Sequence, residues 1–110
     1  MSGMAEIKPE IMKAVQDVIT RLRERFVLDA VYIFGSHVTG TPDEYSDIDI
    51  AAFAEGVDKL SLPEKIDEIV TVQMKVKAPV EIHLYDSSRL KEARPTNIYG
   101  HIIETGSRVL

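Results

Sequence analysis

Cysteine is absent from the 110-residue chain, which removes disulfide cross-links, thiolate zinc sites and a cysteine nucleophile together. Long apolar runs are missing too: none approaches the roughly 20 residues that a bilayer-crossing helix needs, so no membrane span is expected. Met1 to Pro9 holds no apolar stretch of the secretory-signal kind, and cytoplasmic residence is the default expectation. Positive charge is also in short supply. Thirteen Lys and Arg stand against 18 Asp and Glu, a net charge of -5, which disfavours broad electrostatic binding to DNA or RNA. Internal repeats, low-complexity tracts and flexible linkers are lacking as well. What is left is an ordinary globular composition, 45% hydrophobic and 28% charged, and a length that predicts a single domain over residues 1–110 with a modest core.

Chemistry is concentrated in one stretch. Ala30-Val31-Tyr32-Ile33-Phe34 is a short run of β-branched and aromatic residues that reads as a buried strand ending at Gly35. Without a Cβ, Gly35 lets the backbone turn sharply at the strand's carboxyl end and lets a phosphate approach exposed N–H groups. Ser36 follows as the N-cap of a short helical turn whose free N–H groups and hydroxyl face a phosphate, and Gly40 ends that turn. Taken alone, Gly35-Ser36 and Gly40-Thr41-Pro42-Asp43 would read as two surface turns.

After ten intervening residues Ser36 is followed by Asp47-Ile48-Asp49, opening a second segment of strand composition that runs to Phe53. Alternation in a strand places both carboxylates on one face and Ile48 and Ile50 on the other. Two anions held this close repel unless a cation lies between them, and an all-oxygen ligand set favours Mg²⁺ or Mn²⁺. A nucleoside triphosphate would complete such a site. A bare Asp-x-Asp reads equally as a turn cap beside a solvated strand residue; its fixed distance from Gly35-Ser36 sets this one apart.

Gly35-Ser36, Gly40 and Ser46-Asp47-Ile48-Asp49-Ile50 together resemble the signature of the minimal nucleotidyltransferases, within the DNA polymerase beta-like superfamily. The likeness is specific over Val31 to Ile50. It implies a small α/β fold, use of Mg²⁺ (or Mn²⁺) and ATP or another nucleoside triphosphate, transfer of the nucleoside monophosphate to a hydroxyl, and a third carboxylate on a later strand. On this likeness Gly35, Ser36, His37, Gly40 and Ser46 hold the nucleotide, while Asp47 and Asp49 are metal ligands and catalytic acids. Glu81 is the candidate third acid. It lies in Pro79-Val80-Glu81-Ile82-His83-Leu84-Tyr85, where strict alternation sends Val80, Ile82 and Leu84 to one side and Glu81, His83 and Tyr85 to the other. Asp86 is the alternative.

One departure stands out. The family commonly carries arginines between the Gly-Ser turn and the acids, suited to bidentate phosphate contacts. This chain has none there. His37 is the nearby group able to carry positive charge, and it reads equally as a surface loop histidine. Asp43 and Glu44 add negative charge beside a polyphosphate, which weakens binding unless metals or a partner's basic side chains offset it.

Scaffold elements follow from periodicity. Ile7, Ile11, Ala14/Val15, Val18/Ile19, Leu22 and Phe26 recur at helical spacing behind Pro9. Arg21, Arg23 and Arg25 are expected on the solvated face, near the helix C-terminus. A second helix is expected over Asp58 to Lys77, with Ser61-x-x-Glu64 as a capping box and Leu62, Ile66, Ile69/Val70 and Gln73 to Val76 as its buried stripe. Ser87 to Ala93 reads as a short helical turn, Thr96 as the cap of a last helix to Gly106, and Arg108-Val109-Leu110 as an edge strand. The fold class is α/β (α+β): a small mixed β-sheet with helices mainly on one face and the acids on the other.

An open acid-bearing face invites an acceptor carried by another chain. The leading expectation is an Mg²⁺-dependent transferase that moves AMP, or another nucleoside monophosphate, onto a partner's hydroxyl. The resemblance implies pairing in a hetero-oligomer with a helical HEPN-domain RNase toxin, which the enzyme neutralises as antitoxin by adenylylating a tyrosine. Self-association is left open. The alternative is a binding module on the same fold that sequesters its partner with little catalysis, a reading the missing arginines favour.

Overall fold

The computed structural model describes residues 7–35 and 47–110. Ser36, His37, Gly40 and Ser46 lie outside the described residues.

The chain opens with α1, Pro9–Arg23, whose proline occupies the first turn, where a missing N–H costs nothing. Ala14, Val15, Val18, Ile19 and Leu22 form its buried stripe, as their spacing predicts, and Ile7, Ile11, Met12 and Phe26 pack at its margins. Of the three arginines, Arg21 pairs with Asp17 on its own helix at 3.1 Å and Arg23 is exposed. Arg25 is exposed as well, and its Nε donates to both carboxylate oxygens of Glu68, at 2.6 and 2.8 Å, tying the end of α1 to the next helix.

Strands β1 (Leu28–Phe34) and β2 (Ile48–Ala54) run antiparallel. Helix α2 (Leu62–Lys75) then crosses over so that β3 (Val80–Asp86) lies parallel to β2, the connection a parallel pair requires. Ser107–Arg108, here β4, adds to the far side of β1, and the pairing extends through Val109 N–H to the Val31 carbonyl at 2.8 Å. Among the described residues the sheet is four-stranded in the order β3-β2-β1-β4. It is the mixed sheet that the sequence predicts.

Alternation assigns the faces. Val31, Ile33, Ile48, Ile50, Ala52, Val80, Ile82 and Leu84 meet α1 and α2 in the main core. On the reverse, Ala30, Tyr32, Ala51 and Phe53 pack with Ile102 of α3 (Ile98–Thr105). Phe53 is fully buried there, its ring 5.5 Å from that of Tyr85 and 6.2 Å from that of Tyr32. The third helix therefore covers one end of the reverse face.

Three local expectations are corrected. Helix α2 starts at Leu62 rather than Asp58, because Ser61 and Glu64 form the reciprocal capping box: Glu64 N–H donates to Ser61 Oγ and Ser61 N–H to Glu64 Oε1. Val57–Lys59 is a separate 3₁₀ turn. The buried stripe of α2 also differs. Val72 and Val76 are buried and Ile69 packs on the core, whereas Leu62, Ile66, Val70 and Met74 are 69%, 50%, 42% and 81% exposed. A row at steps of four advances about 40° around the helix per step, so the row from Leu62 to Met74 turns away from the line through Ile69, Val72 and Val76 that packs. The last helix is capped by Asn97 rather than Thr96, with Gly100 N–H donating to Asn97 Oδ1 at 3.0 Å.

Asp86 closes β3 as the N-cap of the 3₁₀ segment Ser87–Glu92. Its carboxylate accepts from Asp58 N–H, Ser88 N–H and Ser88 Oγ–H, and these bonds, the Asp58 one foremost, lower its pKa from 3.8 to about 2. A depressed carboxyl contributes stability above its unfolded value, lost as pH falls through the folded one. In urea titrations, Asp86→Asn is therefore expected to lower the midpoint at neutral pH, and the deficit to shrink as pH falls from 3.8 towards about 2. A constant deficit across that window would contradict this role.

Candidate active site

Strand β1 ends at Phe34, and Gly35 turns away with φ +81°, a left-handed backbone that side-chain-bearing residues rarely adopt. The reason for glycine is also steric. A Cβ built there would lie 2.5 Å from Asp49 Oδ2, so the turn passes directly against the carboxylate. Register explains the closeness, since Phe34 stands opposite Asp49 across the β1–β2 ladder.

On its other side Asp49 is in register with Glu81 of β3. Both side chains leave the sheet on the face away from α1 and α2. Their surroundings differ: the Asp49 side chain is 26% exposed and that of Glu81 is 55% exposed. His83 projects from the same face two residues along β3. Its Nε2 lies 3.5 Å from Asp49 Oδ1 and 3.9 Å from Glu81 Oε1. One ligand atom from each of Asp49, Glu81 and His83 falls within 4.8 Å of the others. The His83 Nε2 is buried and, among the described residues, has no hydrogen-bond partner, while its ring packs edge-on against Phe34, centroids 5.1 Å apart.

Asp47 is exposed and stands one residue before β2. It is outside the Asp49–Glu81–His83 cluster. Asp86 is remote in role, at the far end of β3 with its carboxylate held by backbone and hydroxyl donors. Glu81 is thus the acid that β3 brings to Asp49. His83 is the member that reasoning from paired carboxylates left out, although the alternation of Val80 to Tyr85 already put it on the Glu81 face.

Beyond His83 the same face closes over. Tyr85 packs on Phe53 and on Tyr99 of α3, with centroids 5.5 and 5.2 Å apart, and burial raises its phenol pKa. The face is therefore divided into a packed aromatic end and an end where Asp49, Glu81 and His83 meet beside the Gly35 turn. Two carboxylates and one imidazole nitrogen without a hydrogen-bond partner among the described residues form a set that suits a divalent cation.

Comparison with known proteins bears on the family and the fold. Residues 16–110, which include all four strands, match the family described as "Polymerase beta, Nucleotidyltransferase". In three dimensions the chain is similar to a provisionally assigned nucleotidyltransferase from Sulfolobus solfataricus, with a TM-score of 0.63 over 92% of this chain and 88% of that one, at 22% sequence identity. Among curated proteins no relative matches. Chemistry in this family typically uses a divalent metal and a nucleoside triphosphate. On its sequence match, and with the fold that accompanies it, the chain belongs to the polymerase beta nucleotidyltransferase family.

Proposed function

We propose that this protein transfers AMP from ATP, with Mg²⁺ or Mn²⁺, to a hydroxyl carried by a partner protein, and that it serves as the antitoxin of a HEPN-type RNase toxin. The observation that carries the transfer reading is the approach of Asp49 and Glu81, in register on adjacent strands, beside a glycine turn where an added Cβ would meet Asp49 Oδ2. A bound divalent cation supplies charge neutralisation along the triphosphate.

The chain's own residues divide the rest. Gly35, with Ser36, His37, Gly40 and Ser46 following it, cradles the phosphates, and Asp47 and Asp49 hold the cation with Glu81. The acceptor oxygen attacks the α-phosphorus, the bond from that phosphorus to the bridging oxygen of the β-phosphate breaks, and pyrophosphate leaves. Glu81, the more exposed acid, takes the hydroxyl proton. Position and charge do most of this work, which suits a small scaffold. Association with another chain is supported by Leu62, Ile66, Val70 and Met74, which keep an apolar line in solvent.

Sequestration without catalysis is favoured by one feature, the lack of arginine between Ser36 and Asp47. Incubation with α-labelled ATP, Mg²⁺ and the product of the neighbouring gene separates the two. Label on the partner that vanishes with Asp47→Asn/Asp49→Asn supports transfer. Neutralisation of the partner that survives the double substitution, with no label transferred, would replace transfer by sequestration.

A further inference from the structure

We infer that His83 is a direct ligand of the bound cation, and that this nitrogen makes the site select Mn²⁺, Co²⁺ or Zn²⁺ over Mg²⁺. The inference rests on the transferase reading of the Asp49–Glu81 pair and adds to it the identity of the ion.

Four observations converge. Among the described residues His83 Nε2 is buried and without a hydrogen-bond partner, although its side chain as a whole is 30% exposed. The ring therefore turns this nitrogen inward instead of offering it to water. A buried polar atom left without a partner is costly, and such an atom facing two carboxylates is suited to a shared cation. Phe34 packs against the imidazole at 5.1 Å, which limits its swing. The 3.5 Å between Nε2 and Asp49 Oδ1 is close to the separation of neighbouring ligand atoms on a tetrahedral ion with bonds of about 2.1 Å, roughly 3.4 Å. Finally, Ala51 is the residue of β2 in register with His83, so the neighbouring strand sets only a methyl group against it at that position.

Ligand type decides the ion. Mg²⁺ takes oxygen donors and keeps its waters, whereas an imidazole nitrogen suits later divalent metals, and Mn²⁺ accepts both kinds. A site that adds an imidazole to its carboxylates is therefore expected to rank Mg²⁺ below Mn²⁺, and Mn²⁺ below Co²⁺ or Zn²⁺. His83 would also fix the carboxylate of Asp49 through the shared ion rather than through a hydrogen bond.

The experiment uses the full chain and metal alone, with no nucleotide and no turnover. Mn²⁺ is titrated by its free electron-paramagnetic-resonance signal, and the bound ion is examined by pulsed measurements that detect a directly coordinated nitrogen. The wild type is expected to show nitrogen coupling and to bind Mn²⁺ at least about tenfold more tightly than Mg²⁺, measured by competition. His83→Gln loses the coupling and about tenfold in Mn²⁺ affinity, with Mg²⁺ affinity nearly unchanged and an unaltered melting temperature. His37→Gln keeps the coupling. Coupling that survives His83→Gln, or that disappears in His37→Gln instead, overturns the assignment of His83. Mn²⁺ binding that needs Asp49 but shows no nitrogen overturns it too, and leaves the carboxylate site standing. Absence of Mn²⁺ binding in wild type and Asp49→Asn alike would remove the metal site itself.

Discussion

Asp49→Asn is expected to lower nucleotidyl transfer by about 100- to 1,000-fold while leaving the melting temperature unchanged or slightly raised. The rate effect is of the size seen when one preorganised electrostatic partner of a transition state is removed, about 2.7–4 kcal/mol. The stability effect follows from position. Asp49 lies inside β2 with neighbours on both sides, Phe34 and Glu81, and asparagine keeps its shape. The substitution also removes one of two anions that share a face, relieving repulsion in the metal-free protein. Opposite signs in rate and stability distinguish a site residue from a structural one. A parallel loss of activity and melting temperature would mean that Asp49 acts through the fold.

The second large effect is expected at Gly35. Gly35→Ala places a methyl group where Asp49 Oδ2 now lies 2.5 Å away, on a backbone at φ +81°. Both costs act at once: about 1–2 kcal/mol for the left-handed conformation, and displacement of the carboxylate or the turn. Transfer is expected to fall by at least about 100-fold, since misplacement of this order at a reacting centre is that costly. Gly56→Ala is the matched control. Gly56 has nearly the same φ, +84°, but among the described residues nothing lies within 4 Å of the added methyl, so the variant is expected to lose stability of about the same size as the conformational term and to keep its activity. Urea denaturation and the transfer assay on both variants measure the two contributions separately. Equal activity losses would show that Gly35 matters for its backbone alone.

Much of the site was legible because strands encode faces directly. Once Ala30–Phe34, Asp47–Phe53 and Pro79–Tyr85 are read as strands, alternation puts Asp49, Glu81 and His83 on one side and the aliphatic residues on the other, and the structure keeps that division, with Asp47 left before β2 and outside the cluster. Register is not encoded in the same way. That Glu81 comes opposite Asp49, and not two residues along, depends on the length of the crossover through α2, and only the folded chain reveals it. His83 passed unnoticed as a site residue because the family likeness supplies three acids and no imidazole.

Helix details were less legible, for reasons that differ by residue. Ser61 and Asp58 both precede the apolar run, and the reciprocal bonds with Glu64 decide between them only when formed. Thr96 and Asn97 are both good caps, and Asn97 prevails because its side chain also accepts from Arg94 N–H and donates to the Glu92 carbonyl. For Leu62, Ile66, Val70 and Met74, spacing reveals a line but not which way it faces. The line that packs runs through Ile69, Val72 and Val76.

Crystals grown with Mn²⁺ and a non-hydrolysable ATP analogue offer the most direct measurement. Anomalous scattering should place Mn²⁺ within bonding distance of Asp49 and Glu81, with the triphosphate seated on the Gly35 turn. An ion and nucleotide bound elsewhere, with Asp49 and Glu81 touching neither, would contradict the assignment of this face as the place of transfer.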